Sequence, residues 1–158
     1  MSKRIFTIFI LILGFTATTF AAGGHEHGTA AKMADDHAGM AMGEGMIMVG
    51  SQVSKGVKGM AHLNDVREAM LKAGMNHTHH FMIAFADEKT GVQLEQGSVA
   101  LKITDPNGKV METVELVGMS GHFGADIVLD MQGEYHFKIG TKLADGENRK
   151  YHFHYVVK

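Results

Sequence analysis

From Glu134 to Val157 apolar and polar side chains alternate with a period of two, and that pattern constrains the backbone more than any other feature of the chain. Tyr135, Phe137 and Ile139 share one side while His136 and Lys138 take the other; after Ala144-Asp145-Gly146, Tyr151, Phe153 and Tyr155 repeat the pattern against His152 and His154. Successive side chains of a strand point to opposite faces, so both runs are strands with an aromatic core face and a polar outer face. Phe81, Ile83 and Phe85 extend the rule to His79–Ala86, where His77 and His79 continue the inward face and His80 and Met82 lie on the other. Further strands are expected at Ser98–Thr104, Lys109–Val117 and Ala125–Met131, separated by the turns Asp105-Pro106-Asn107-Gly108 and Gln132-Gly133. Ile47–Val57 is a weaker strand. Asn64 is a plausible N-cap for one short helix over Asp65–Ala73, closed by Gly74, with Asp65 in its first turn and Lys72 in its last as the dipole prefers. Short strands with turn signals at near-regular spacing predict an all-β, antiparallel β-sandwich of six or seven strands over 46–158.

The amino terminus has a different character. Lys3 and Arg4 precede an apolar run, Ile5–Phe15, and Thr19-Phe20-Ala21 offers a small-x-small cleavage signal, so residues 1–21 read as a signal peptide. The run is short for a membrane span. The expected location is therefore the periplasm or another exported compartment. Ala22–Gly45 lacks a sustained hydrophobic period and reads as a disordered linker. It carries His25, His27, His37, Met33, Met40 and Met42, followed by Met46, a composition of imidazoles and thioethers suited to metal capture.

Cysteine is absent from the 158 residues, which removes disulfides, thiolate nucleophiles and zinc-thiolate sites. The net charge of -2 and the lack of a basic run argue against a nucleic-acid partner. No nucleophile elbow, P-loop or dinucleotide fingerprint occurs, so the expectation is a protein that is not an enzyme. What remains plentiful is 11 histidines and 13 methionines. Thioethers prefer soft Cu(I), while imidazole also serves Cu(II), zinc and iron. Copper is the favoured ion, with iron and zinc as alternatives.

The segment Gly121-His122-Phe123-Gly124-Ala125-Asp126-Ile127, followed by Gly133-Glu134-Tyr135-His136-Phe137-Lys138-Ile139-Gly140, resembles the carboxy-terminal half of exported YtkA-like and FixH-like domains. It is more faintly similar to periplasmic iron-transport proteins and to copper-resistance proteins of the CopC type. The resemblance implies an immunoglobulin-like sandwich in the cell envelope with a role in copper or iron handling. It carries over His122, with Met119 as a neighbour of the right type; Ser120-Gly121 replaces the proline-containing loop of the iron-transport proteins.

Two candidate metal clusters follow. If each tight turn reverses the chain, His79 begins its strand at one end of the sandwich and the loop Gly118–Gly124 lies at the other. Met60, His62, Met119 and His122 form a mixed imidazole-thioether set suited to copper; His77 and His79, with His80 beside them, form an imidazole set. Met70, Met75, Met82, Met111 and Met131 read as core filler. His152 and His154 are an outward i, i+2 pair, either solvated or convergent on an ion. The functional expectation is copper binding or delivery, with an envelope protein as donor or receiver. The alternative is an envelope assembly module with structural histidines, whose exposed strand edges would permit a homodimer.

Overall fold

The computed structural model describes residues 45–158; the expected signal peptide, and the expected linker with its histidines and methionines up to Glu44, lie outside the described residues. Eight strands and one helix run in the order β1 (Met46–Ser54), β2 (Val57–Asp65), α1 (Arg67–Lys72), β3 (His79–Asp87), β4 (Gly97–Thr104), β5 (Val114–Met119), β6 (His122–Ile127), β7 (Gly133–Leu143) and β8 (Asn148–Val157). All ladders are antiparallel, in the spatial order β1-β2-β3-β6-β5-β4-β7-β8. The fold is an all-β sandwich whose two halves share β5. Val114–Leu116 pair with β4, and Val117–Met119 pair with β6.

The aromatic faces expected from alternation form the core. Phe81, Ile83 and Phe85 of β3 meet Leu101 and Ile103 of β4, Tyr135, Phe137 and Ile139 of β7, and Tyr151 and Phe153 of β8 in one buried cluster. Phe81 lies against Phe137 with ring centroids 5.3 Å apart, and Phe85 against Tyr151 at the same separation. Such pairs add to the area they bury through complementary ring edges and faces.

Two differences from the sequence expectation have physical causes. The strand count is eight because the expected weak strand, Ile47–Val57, is the first arm and turn of a hairpin whose second arm, β2, the alternation pattern does not reveal. Its turn, Lys55-Gly56, has φ of 46° and 73°. Positive φ at both central residues is what a type I′ hairpin requires, and lysine is an uncommon occupant of the first. The helix is also shorter: Asp65 closes β2 instead of entering α1, and Val66 holds the N-cap position without a side-chain cap. Asp65 Oδ1 instead accepts the Arg67 N–H at 2.9 Å, while Gly74 ends the helical segment at φ 73° as expected.

The outer strands β1 and β8 meet through side chains. Gln52 Oε1 accepts the His152 N–H at 2.8 Å, Tyr151 donates its hydroxyl to the Val57 carbonyl at 3.2 Å, and Lys55 pairs with Glu147 at 3.0 Å. The β7–β8 connection is fixed by Arg149, buried but bidentate on Asp145 at 2.5 and 3.0 Å. That pair holds the Asp145 carboxyl below and the Arg149 guanidinium above their ordinary pKa values.

Gly97 opens β4 at φ 136°, where a Cβ would strike the Lys142 carbonyl and stand 2.5 Å from Leu143 Cα. Both obstacles are backbone of the neighbouring strand, so neither can step aside. Gly97→Ala should therefore destabilise the domain by about 2 kcal/mol or more in chemical denaturation. A change near zero would mean that the β4–β7 register yields locally.

Candidate metal centre

Register assigns the polar ligands to faces. Leu63 of β2 faces the core, so Met60, His62 and Asn64 project from the opposite face. On β3 the same outer face carries His80, Met82 and Ala84. The ladders then form rows across the sheet. One row runs Met48, His62, Met82, Gly124; a second runs Asn64, His80, Asp126; a third begins Ser51, Met60, Ala84 and continues past the last β3–β6 rung, Ile83–Phe123, alongside His122. Met119 lies directly opposite His122.

The loop expected at Gly118–Gly124 is in fact another two-residue hairpin. Ser120 and Gly121 have φ of 43° and 87°, and Met119 and His122 are the closing pair of the strands it joins. Their side chains consequently leave the sheet on one face, the face of Met60 and His62. The four-residue set Met60, His62, Met119 and His122 is thus gathered on one surface, divided into two pairs by β3. Two strand spacings, roughly 10 Å, separate the Met60 and His122 backbones. Between them lie Ala84, itself buried, and Gly124, over which the His80 ring sits. Met60 and His62 are buried, His122 is half-buried and Met119 is exposed.

Two further residues belong to this surface. Met82, expected as core filler, is indeed buried, but on the face away from the aromatic cluster and directly opposite His62. His80 is oriented by Asp126, 2.6 Å from its Nδ1, and its Nε2 lies over Gly124, where a Cβ would stand 2.8 Å away. With the carboxylate accepting the Nδ1 proton, Nε2 presents a lone pair above that glycine. Nothing local in the sequence links His80 to Asp126, 46 positions apart; only the β3–β6 register does. Among the described residues no group of three histidine, aspartate or glutamate side chains stands close enough to hold an ion. An ion on this face would depend on the thioethers of Met60, Met82 and Met119 beside the imidazoles, a donor set that fits copper.

His77 and His79 lie at the other end of the β3–β6 ladder, where His79 pairs with Ile127. His79 is only 3% exposed and packs edge-on against Tyr155 at 6.2 Å. Its Nδ1 is 2.8 Å from the Thr78 hydroxyl, which also accepts the Leu129 N–H at 2.8 Å. The hydroxyl also lies 3.5 Å from the Ile127 carbonyl, so which partner takes its proton follows the tautomer of the His79 ring. Burial lowers the His79 pKa, opposed by Asp65 and assisted by Arg67. The geometry of His79 is that of a packed structural histidine. Half-buried His77 has its Nδ1 enclosed without a hydrogen-bond partner. The i, i+2 pair His152 and His154 is likewise rearranged: His154 stands opposite His136, and the ring in contact with His152 is that of His136, not His154.

The fold is shared with bacterial proteins of known structure. The chain is similar to FetP of uropathogenic Escherichia coli, in a copper-bound variant (TM-score 0.57, 10% identity, 70% of this chain and 96% of that one). It is similar to the same protein as isolated after expression in the periplasm (TM-score 0.56, 13% identity, 72% and 98%). A DUF4426 family protein of Pseudomonas aeruginosa also shares the fold (TM-score 0.52, 12% identity, 68% and 96%). No family model and no curated protein matches the sequence.

The His79 environment sets a pH dependence. An unfolded histidine binds its proton near pH 6.5, and the folded one does so only at lower pH, so the unfolded state holds more protons in that interval. Stability should fall as pH drops below about 6.5. With chelator present to remove metal effects, urea denaturation across pH 5 to 7.5 should show a shallower slope in His79→Phe than in the parent. Equal slopes would assign the acid sensitivity to other groups.

Proposed function

We propose that this protein is an exported, non-catalytic copper-binding protein that holds its ion on the outer face of β2, β3, β6 and the end of β5. The observation that carries the reading is the placement of Met60, His62, His80, Met82, Met119 and His122 on one sheet face around the small residues Ala84 and Gly124. Imidazole serves both copper oxidation states and the thioethers favour Cu(I), so the set suits an ion that is carried and passed on in either state. The signal-peptide pattern at 1–21 supports export, and the fold is shared with FetP, of which one structure is copper-bound and another came from periplasmic expression. An envelope protein that donates or receives the ion is the partner this role requires.

The competing reading, an assembly module with structural histidines, is favoured at one position, His79, whose hydroxyl partner and ring packing account for it fully. It does not account for a carboxylate that aims His80 Nε2 over a glycine.

Competition titrations with chromophoric Cu(I) and Cu(II) ligands test the assignment. Met60→Leu with Met82→Leu conserves volume, and should lower Cu(I) affinity more than Cu(II) affinity while leaving the fold intact. Asp126→Asn keeps the shape of the side chain but weakens its hold on His80, and should lower copper affinity by about 10- to 100-fold. If His122→Ala, Asp126→Asn and the methionine pair all bind copper as the parent does, the face is not the site and the assembly reading stands.

A further inference from the structure

The outer face of β7 and β8 holds a separate group of imidazoles that the copper reading does not use. His136 and His152 lie with ring centroids 5.4 Å apart and planes tilted by 30°, and His136 Nδ1 is 3.3 Å from His152 Nε2. His154 stands directly opposite His136 in the ladder. Glu134 Oε1 is 3.2 Å from His136 Nε2. We propose that this hairpin face is a second site, for a divalent transition ion, with His136 Nδ1 and His152 Nε2 as ligands and Glu134 as the residue that positions His136.

The carboxylate bears on which nitrogens are available. Glu134 Oε1, 3.2 Å from His136 Nε2, favours the tautomer that keeps the proton on Nε2 and leaves a lone pair on Nδ1. In that tautomer the 3.3 Å contact is His152 Nε2–H donating to the lone pair. An ion replaces this one shared proton. Two nitrogens bound tetrahedrally to zinc lie roughly 3.3 Å apart, so the pair already has the separation of one ligand edge. A carboxylate on the far nitrogen of a ligating histidine is the usual outer support of such a site. His154, after a rotation of its side chain, or water supplies the remaining positions; no third ligand is in place among the described residues.

The surroundings disfavour the charged form of His152. Burial and the neighbouring His136, Lys138 and His154 lower the His152 pKa, against a smaller opposing effect of Glu134. The charged groups on this face are Glu134, Lys138 and, further along, Lys142 of β7, Lys150 of β8 and Lys102 of β4, with Thr104 opposite His136. The lysines oppose a cation and Glu134 favours it, so the site is weaker than one enclosed by carboxylates. The strand carrying His152 is anchored at that residue, whose N–H is held by Gln52.

Zinc is the discriminating probe, because an all-imidazole set takes it whereas the thioether-rich face favours Cu(I). Zinc chloride titrated into the isotope-labelled protein, followed by NMR, should shift amide and imidazole signals of Glu134–Lys138 and His152–His154. His136→Gln and His152→Gln should each abolish those shifts without changing Cu(I) affinity, and Glu134→Gln should weaken zinc binding about tenfold. Both rings lie on the solvent side of the sheet, His136 with 38% of its side chain exposed, so the substitutions leave the core untouched. Absence of shifts on this hairpin up to millimolar zinc, or the same shifts in both histidine variants, overturns the proposal. Loss of Cu(I) binding alone bears only on the β2–β3 face.

Discussion

The sandwich depends on β5 having two partners. Its first half completes the ladder with β4 and its second half the ladder with β6, so a single short strand joins the hairpins on either side into one sheet order. The arrangement works because Leu116, buried at the junction, is the residue on which the pairing changes hands. Once β5 is fixed, Met119 and His122 are presented at the end of β6, and the β3–β6 register sets His80 opposite Asp126. The placement of the candidate ligands is therefore a consequence of sheet order more than of any loop.

How far the sequence discloses this differs from element to element. In β7 and β8 the alternation of Tyr135, Phe137, Ile139, Tyr151, Phe153 and Tyr155 with polar residues is a local property, and local properties can be read residue by residue. The β1–β2 hairpin is also local, yet hidden, because Lys55-Gly56 lacks the asparagine or aspartate that usually advertises two consecutive positive φ values. Ser120-Gly121 is hidden in the same way, which is why Met119 and His122 look like loop residues when they are the closing pair of a hairpin.

The candidate metal face was legible in its residue types and not in its full membership. Met82 lies in an apolar run, where a thioether is the same signal whether it fills the core or faces outward. Only the pairing with His62 decides between the two. His79 and His80 are adjacent and chemically identical, but the pleat sends one into the core beside Tyr155 and the other to Asp126. Histidine count finds neighbourhoods; the parity of position along a strand decides which ring nitrogens are spent on the fold.

The leaning of β1 on β8 has a consequence for association. An open sheet ordinarily invites a strand from another chain to extend its ladder. Here an incoming strand at β8 would have to displace Gln52 from the His152 N–H and separate Lys55 from Glu147 before making its first main-chain bond. The sheet thus guards this rim with side chains contributed by the opposite edge of the same chain.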